Sequence, residues 1–357
     1  MLDMFSPATF GSVHLENRIV LAPMTRLRAH ADGSPSLDMA TYYAQRASFG
    51  LIVTEGVFPS LEGRAYLNQP GIATKRHAQG WRRVTDAVHD RGGSIFMQIM
   101  HAGMATHSAV TGGSRPVGPS ATSAKGLART QGGKVAMQAA RSLSEDELRG
   151  IAALFAEAAE RAVFAGFDGV EVQGANGYLL HQFFAPSTNN RSDRYGDSPV
   201  NRARLAVEVV SAVSSAIGAE RTALRISPRH HSHGINEYND DATNDTYHAV
   251  VSGIAPLNMA YLSYLPEVTS PFAQELRELF GGPFVVNTGP RTETTYQEAD
   301  RLVSGGFADA VAVGRAGLAN PDLVRRWRHG LELNRPRMQH FYVGGANGYT
   351  DYPELAT

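Results

Sequence analysis

The 357-residue sequence contains no cysteine. Disulfides, thiolate nucleophiles and cysteine-held iron–sulfur clusters are therefore excluded, and a reducing compartment is compatible with the chain. An excess of either charge is also missing. Lys and Arg number 33 against 34 Asp and Glu, for a formal net charge of −1. Nothing in that balance points to nucleic acid or to an anionic membrane surface. No apolar run reaches bilayer-spanning length. The segment 1–11 lacks the basic region and long apolar stretch of a secretory signal. The expected location is the cytoplasm, and the expected partner is a small-molecule substrate. The sequence leaves monomer and homo-oligomer both open.

What is present is ordinary for a globular enzyme: 43% hydrophobic residues, 19% charged, and enough length to bury a large core. Eight short, nearly continuous apolar runs recur along the chain: 19–24, 51–54, 94–100, 169–173, 222–227, 259–264, 283–287 and 309–313. Such runs suit strands covered on both faces. Helical patterns lie between them. Ser144 and Glu147 fit a capping box, and Leu148, Ile151, Leu154, Phe155, Ala158, Ala162 and Val163 follow at helical spacing. Ser198-Pro199 begins another, with Leu205, Val209, Val213 and Ile217 as its apolar stripe. Strands alternating with helices mean a parallel sheet, and eight such units close a (β/α)8 TIM barrel. Barrels of this kind exceed the usual domain length as one unit, so a single domain over residues 1–357 is expected. Two segments are longer than ordinary loops: 102–143 after strand three and 228–246 after strand five. Both read as lids or pocket walls on the catalytic face, with inert surface decoration as the alternative.

Chemistry in a barrel belongs at the C-terminal ends of the strands. There the sequence carries Pro23-Met24-Thr25, Thr54-Glu55-Gly56, Gln98 with Met100, and the run Gln173 to Tyr178. Later strands contribute Arg225, Asn287-Thr288-Gly289 and Gly314-Arg315. The last two groups make a phosphate-site pattern. Glycine lets backbone N–H groups approach, Arg315 adds charge-assisted hydrogen bonds, and the loops after strands seven and eight are the usual phosphate position. Absences narrow the chemistry further. The only lysines are Lys75, Lys125 and Lys134, none on an expected barrel strand, so a Schiff-base nucleophile is lacking. Strand one has no histidine pair for a catalytic metal, and strand four ends in amides where a glycosidase would need carboxylates. Redox chemistry on a phosphorylated cofactor survives.

Several longer segments together point the same way. They are Asn17 to Arg26, Gly80-Trp81-Arg82, Ala165 to Glu171, Gly174 to Leu180, Asn190 to Gly196, Ala319 to Leu323 and Gly348 to Pro353. In these the chain resembles the Old Yellow Enzyme family of FMN-dependent ene-reductases along nearly its whole length. The resemblance implies FMN lying over the barrel mouth beside Pro23, Met24 and Gly56. It implies Thr25 at the flavin carbonyl near the reactive nitrogen, Gln98 on the pyrimidine edge and Arg225 near the other end of that edge. It also implies NAD(P)H as reductant and an α,β-unsaturated carbonyl compound as substrate. Gln173 and Asn176 would hold the carbonyl oxygen and Tyr178 would protonate the α-carbon. Tyr264, Phe272 and Tyr342 fall where the family has aromatic pocket walls.

The chain departs from the family pattern in places. Gln173 stands where His or Asn is usual; its amide can donate but cannot become cationic. Met100 replaces a common Trp, and Met104 a common Arg. The run Arg229-His230-His231-Ser232-His233 is unusual after strand five. It reads as a solvated loop, as recognition of an anionic or polar substrate through His231, or less readily as a metal site; no metal is expected. The leading function is NAD(P)H-dependent reduction of an activated alkene. A non-standard redox step in a specialised pathway, and a flavin-binding barrel without catalysis, are the alternatives.

Overall fold

In the computed structural model, which describes residues 2–238, 240–289 and 292–355, eight short parallel strands pair edge to edge and close on themselves. We number them β1 (Ile19–Leu21), β2 (Leu51–Val53), β3 (Ile95–Ile99), β4 (Gly169–Gly174), β5 (Thr222–Ile226), β6 (Tyr261–Tyr264), β7 (Phe284–Val286) and β8 (Ala310–Val313). Closure runs through β8 and β1, with Val311 opposite Ile19 and Val313 opposite Leu21. Each expected strand is present, though some are shorter than their apolar runs. β1 ends early for a covalent reason. Ala22 still donates to Val313, but Pro23 has no N–H to continue the ladder.

The helices form where the caps predicted. Ser144 and Glu147 make the reciprocal capping box of the helix Glu145–Phe164. Ser198 caps the helix Pro199–Ile217, with proline in its first turn. Each cap of this kind stabilises a helix by about 1 kcal/mol. One boundary differs. The segment after β5 gives way to helix at residue 241, because the Asp240 side chain accepts the Thr243 N–H and starts the helix Asp241–Ile254.

Two apolar layers result. Outward-facing strand residues such as Val170, Val172, Leu224 and Ile226 pack against the surrounding helices. The barrel interior is filled by Val20, Val53, Phe96, Tyr261, Val285 and their neighbours, closed from below by Phe10, Val13 and Leu15 of an N-terminal hairpin. That plug closes the end of the barrel opposite the C-terminal mouth. The polar strand-end residues sit on it as an upper layer. No described helix is long and apolar enough to cross a membrane.

Candidate active site

A cavity of about 760 Å³ opens at the C-terminal mouth. Its wall includes Pro23, Met24, Thr25, Gly56, Gln98, Met100, Gln173, Asn176, Tyr178, Arg225, Asn287, Gly289, Gly314, Arg315 and Tyr342. These come from strand ends spread over the whole chain, and barrel closure alone brings them together.

The floor is a connected polar layer. Glu171 on β4 stands opposite Gln98 on β3, and Gln173 opposite Arg225 on β5. Gln98 Nε2 donates to Glu171 Oε1 at 2.7 Å, Tyr261 donates its hydroxyl to Glu171 Oε2 at 3.0 Å, and Gln173 Nε2 donates to Gln98 Oε1 at 3.2 Å. Arg225 donates to Ser263 Oγ at 2.9 Å, while its buried Nε has no partner within the described protein. Burial pushes the Glu171 carboxyl up and the Arg225 guanidinium down, and each opposes the other's shift through Coulomb attraction. Glu171 was not expected to take part. Inside an otherwise apolar run, its inward direction and its neighbours are set by the register of β4 with β3 and β5.

The β4 end supplies the reactive wall. Tyr178 is buried, its hydroxyl 2.9 Å from that of Tyr66. Burial first, then the Tyr66 hydroxyl, hold its pKa well above the usual value near 10. Asn176 takes a left-handed backbone, φ 58°, and its Oδ1 lies 3.1 Å from His230 Nδ1. At the rim Gly56 packs closely on Met100: a Cβ there would sit 2.7 Å from the Met100 sulfur, which would have to shift. Asn287 donates to the Ala312 carbonyl and accepts from Gly289 N–H, tying the ends of β7 and β8 beside Gly314.

Four expected residues lie outside the cavity wall. Tyr264 points the other way because β6 turns Tyr261 and Ser263 inward; Tyr264 packs at 5.7 Å from Phe284, and burial holds its hydroxyl at about 12. Phe272 lies beneath the Arg229 guanidinium, 4.7 Å away. His231 meets the backbone oxygen of Glu237 at 2.6 Å. Thr288 bonds the Thr294 hydroxyl at 2.8 Å. In place of His231, its neighbours His230 and His233 line the cavity. The His233 ring tilts against Tyr178 at 5.4 Å, and burial lowers its pKa. Tyr66, Arg129, Met338 and Phe341 also line the wall and were not foreseen. All four sit on irregular or inserted segments, where neither period nor motif gives a direction.

Buried charges fix these segments. Arg26 and Arg28, leaving β1, donate to the carbonyls of Phe341, Gly348, His340 and Val343, which draws the C-terminal segment over the mouth. Glu237 holds the loop after β5. It accepts from Arg229 N–H at 2.9 Å and from the Tyr247 hydroxyl at 3.0 Å, and lies 3.3 Å from His181 Nε2, all out of water. Removing an acceptor that several buried donors share leaves them unsatisfied, at about 1–3 kcal/mol. Glu237→Leu is therefore expected to lower the melting temperature by several degrees, read by calorimetry. It should also loosen His230 and His233, read by faster amide exchange over residues 228–238.

The fold and site define a class: a parallel barrel whose mouth binds a planar, phosphorylated redox cofactor. The residues fit FMN. The cavity is large enough, an amide and a buried guanidinium with a free Nε lie at its floor, and Gly289, Gly314 and Arg315 lie at its β7–β8 side. The chain belongs to the NADH:flavin oxidoreductase / NADH oxidase family, whose pattern matches residues 3–334. It is 40% identical to a probable flavin mononucleotide-dependent alkene reductase of Leishmania infantum, over 98% of this chain and 97% of that one. It is 36% identical to 12-oxophytodienoate reductase 1 of Oryza sativa subsp. japonica, over 99% and 93%. Among solved structures, an old yellow enzyme homologue from Zymomonas mobilis superposes with a TM-score of 0.93 at 38% identity, covering 99% of this chain and all of that one. Morphinone reductase in complex with tetrahydroNAD gives 0.94 at 38%, covering 100% and 98%. The protein is an FMN-dependent oxidoreductase of the Old Yellow Enzyme type, with a nicotinamide as its reductant.

Proposed function

We propose that the protein, acting as one domain, takes hydride from NAD(P)H and reduces the activated C=C bond of an α,β-unsaturated carbonyl compound. The observation that carries this reading is one cavity joining a flavin floor, Gln98 and Arg225, to a carbonyl-holding amide, Asn176, and a buried phenol, Tyr178.

FMN, when bound, supplies the hydride carrier between nicotinamide and alkene. The chain supplies the rest. Arg225 would hold a fixed cation, and Gln98 an amide, at the polar edge of the bound cofactor, where water would otherwise screen the charge. Thr25 would face it from the β1 end. Pro23, Met24 and Gly56 would give it an apolar rest. Asn176 donates to the substrate carbonyl oxygen and polarises the alkene. Tyr178 keeps its proton at neutral pH, because its pKa is raised, and gives it to the α-carbon. Gly289, Gly314 and Arg315 would take the cofactor phosphate.

The test is anaerobic. The purified holoprotein is reduced with NADH and, separately, NADPH, then mixed with cyclohexenone or maleimide. Fast reoxidation is expected. Reduction by nicotinamide with slow reoxidation by every simple enone would overturn the reading.

The lid adds an electrostatic expectation. Residues 102–143 carry Arg115, Lys125, Arg129, Lys134 and Arg141 and no Asp or Glu. Among the described residues, the cavity wall also holds no carboxylate. Of these Arg129 lines the cavity, together with Arg225 and Arg315, and cations around a mouth concentrate anionic reactants. The second-order rate of flavin reduction by either anionic nicotinamide should fall roughly tenfold between about 0.02 and 0.3 M salt. Reoxidation by neutral cyclohexenone should stay nearly flat, and stopped-flow absorbance separates the two.

A further inference from the structure

We propose that His230 is a positioning residue that fixes the Asn176 amide, so that Asn176 rather than Gln173 is the principal hydrogen-bond donor to the substrate carbonyl oxygen. This rests on the alkene-reductase reading of the cavity and goes beyond it.

Gln173 is drawn toward the cofactor floor. Its Oε1 accepts the Ala175 N–H and its Nε2 donates to Gln98, both at 3.2 Å. Two bonds from opposite ends of a planar amide set its direction. Swinging it up to a substrate would break both and leave buried groups unsatisfied.

Asn176 is held differently. Its backbone N–H donates to Ser227 Oγ at 2.8 Å, and His230 N–H donates to the Ser227 carbonyl at 3.2 Å. The two residues therefore hang from one strand-end serine. Their side chains then meet, His230 Nδ1 to Asn176 Oδ1 at 3.1 Å. A carboxamide oxygen only accepts, so Nδ1 carries the hydrogen. With Oδ1 occupied by histidine, the Asn176 NH2 group is the end left for the cavity. Flipped by a half turn, the amide would offer its oxygen to a carbonyl oxygen and repel it. The backbone does not distinguish the two flips; His230 does so in the tautomer that carries its hydrogen on Nδ1, which is the one the proposal assigns. His230 itself is set by its flanks, since Arg229 N–H bonds the Glu237 carboxylate and His231 the Glu237 carbonyl.

The test uses the holoenzyme and a ketone that cannot be reduced at a C=C bond. Cyclohexanone is titrated while the flavin absorbance is followed, alongside kcat and KM for cyclohexenone. His230→Phe should raise the cyclohexanone Kd and the cyclohexenone KM about tenfold, the loss of one oriented hydrogen bond. Flavin content and the unliganded flavin spectrum should not change. His230→Gln, which keeps an N–H donor, should recover most of the binding. In an Asn176→Ala background, His230→Phe should add nothing, since there is no amide left to orient. Gln173→Ala should weaken cyclohexanone less than Asn176→Ala does. Additive effects of the His230 and Asn176 changes, no effect of His230→Phe, or a Gln173→Ala loss as large as that of Asn176→Ala would each overturn the proposal. A wild-type enzyme that binds cyclohexanone but is not reoxidised by enones would refute the assigned reaction while leaving this binding test intact.

Discussion

Replacing Arg225 with methionine is expected to slow flavin reduction by nicotinamide by about two to three decades, the usual loss when an oriented charge is removed from a developing anion. The flavin midpoint potential should fall with it, because Arg225 carries the fixed cation at the β5 end of the floor. A second effect should appear without substrate. Arg225 is buried and attracts the buried Glu171 carboxylate. Removing one partner of such a pair costs about 3–5 kcal/mol, or roughly 5–10 °C in melting temperature. The loss has a definite pH dependence. Burial already raises Glu171 above its ordinary 4.5, and taking away Arg225 raises it further. A carboxyl that holds its proton more tightly when folded loses stability as pH rises through its folded pKa. The variant's deficit in melting temperature should therefore be larger at pH 8 than at pH 5, as read by differential scanning fluorimetry of the apoprotein. A deficit that grows toward acid would contradict the Arg225–Glu171 coupling.

Tyr178→Phe should lower the rate of flavin reoxidation by cyclohexenone by about two to four decades, the range for losing a positioned general acid. Flavin reduction by nicotinamide needs no proton from the protein and should change by less than about threefold. The split between half-reactions is the diagnostic, and single-turnover absorbance measures each. The wild-type oxidative rate should also be flat from pH 6 to 9, because Tyr178 titrates well above its usual value and keeps its proton throughout. A fall in that rate as pH approaches 8 would point to a different donor. Tyr66→Phe removes the 2.9 Å partner and should cost about tenfold in the same half-reaction, since the phenol direction is then less fixed.

Much of the site was legible before any coordinates. Thr25, Gln98, Arg225 and Gly314 stand at strand ends, and in a parallel barrel every strand end meets the same mouth. Side-chain direction within a strand was less legible. The apolar runs barely alternate, so β6 gave no sign that Tyr261 and Ser263 face inward and Tyr264 outward; only the pairing of Ser263 with Arg225 fixes that parity. The same holds for Glu171, whose inward position depends on standing opposite Gln98.

Loops were the least legible. In Arg229 to His233 three histidines share one polar stretch, and local pattern cannot rank them. Two left-handed residues, Arg229 and His233, together with the buried Glu237, turn His230 and His233 to the cavity and His231 away. Tyr66 arrives from a loop, and Arg129 from a short antiparallel hairpin, Leu127–Thr130 with Gly133–Ala136, inside the inserted segment.

The sequence by itself determined the barrel and, through its resemblance to the Old Yellow Enzyme family, the flavin and its floor residues Gln98 and Arg225. The barrel follows from strand–helix alternation, which local covalent and hydrophobic rules already specify. The tertiary structure alone decided how the flavin opening of this barrel treats its substrate. It turned the Gln173 amide down to Gln98, and it set His230 against Asn176 and Tyr66 against Tyr178. Each of those is a hydrogen bond between segments distant in sequence, and its direction exists only once the chain has closed around it.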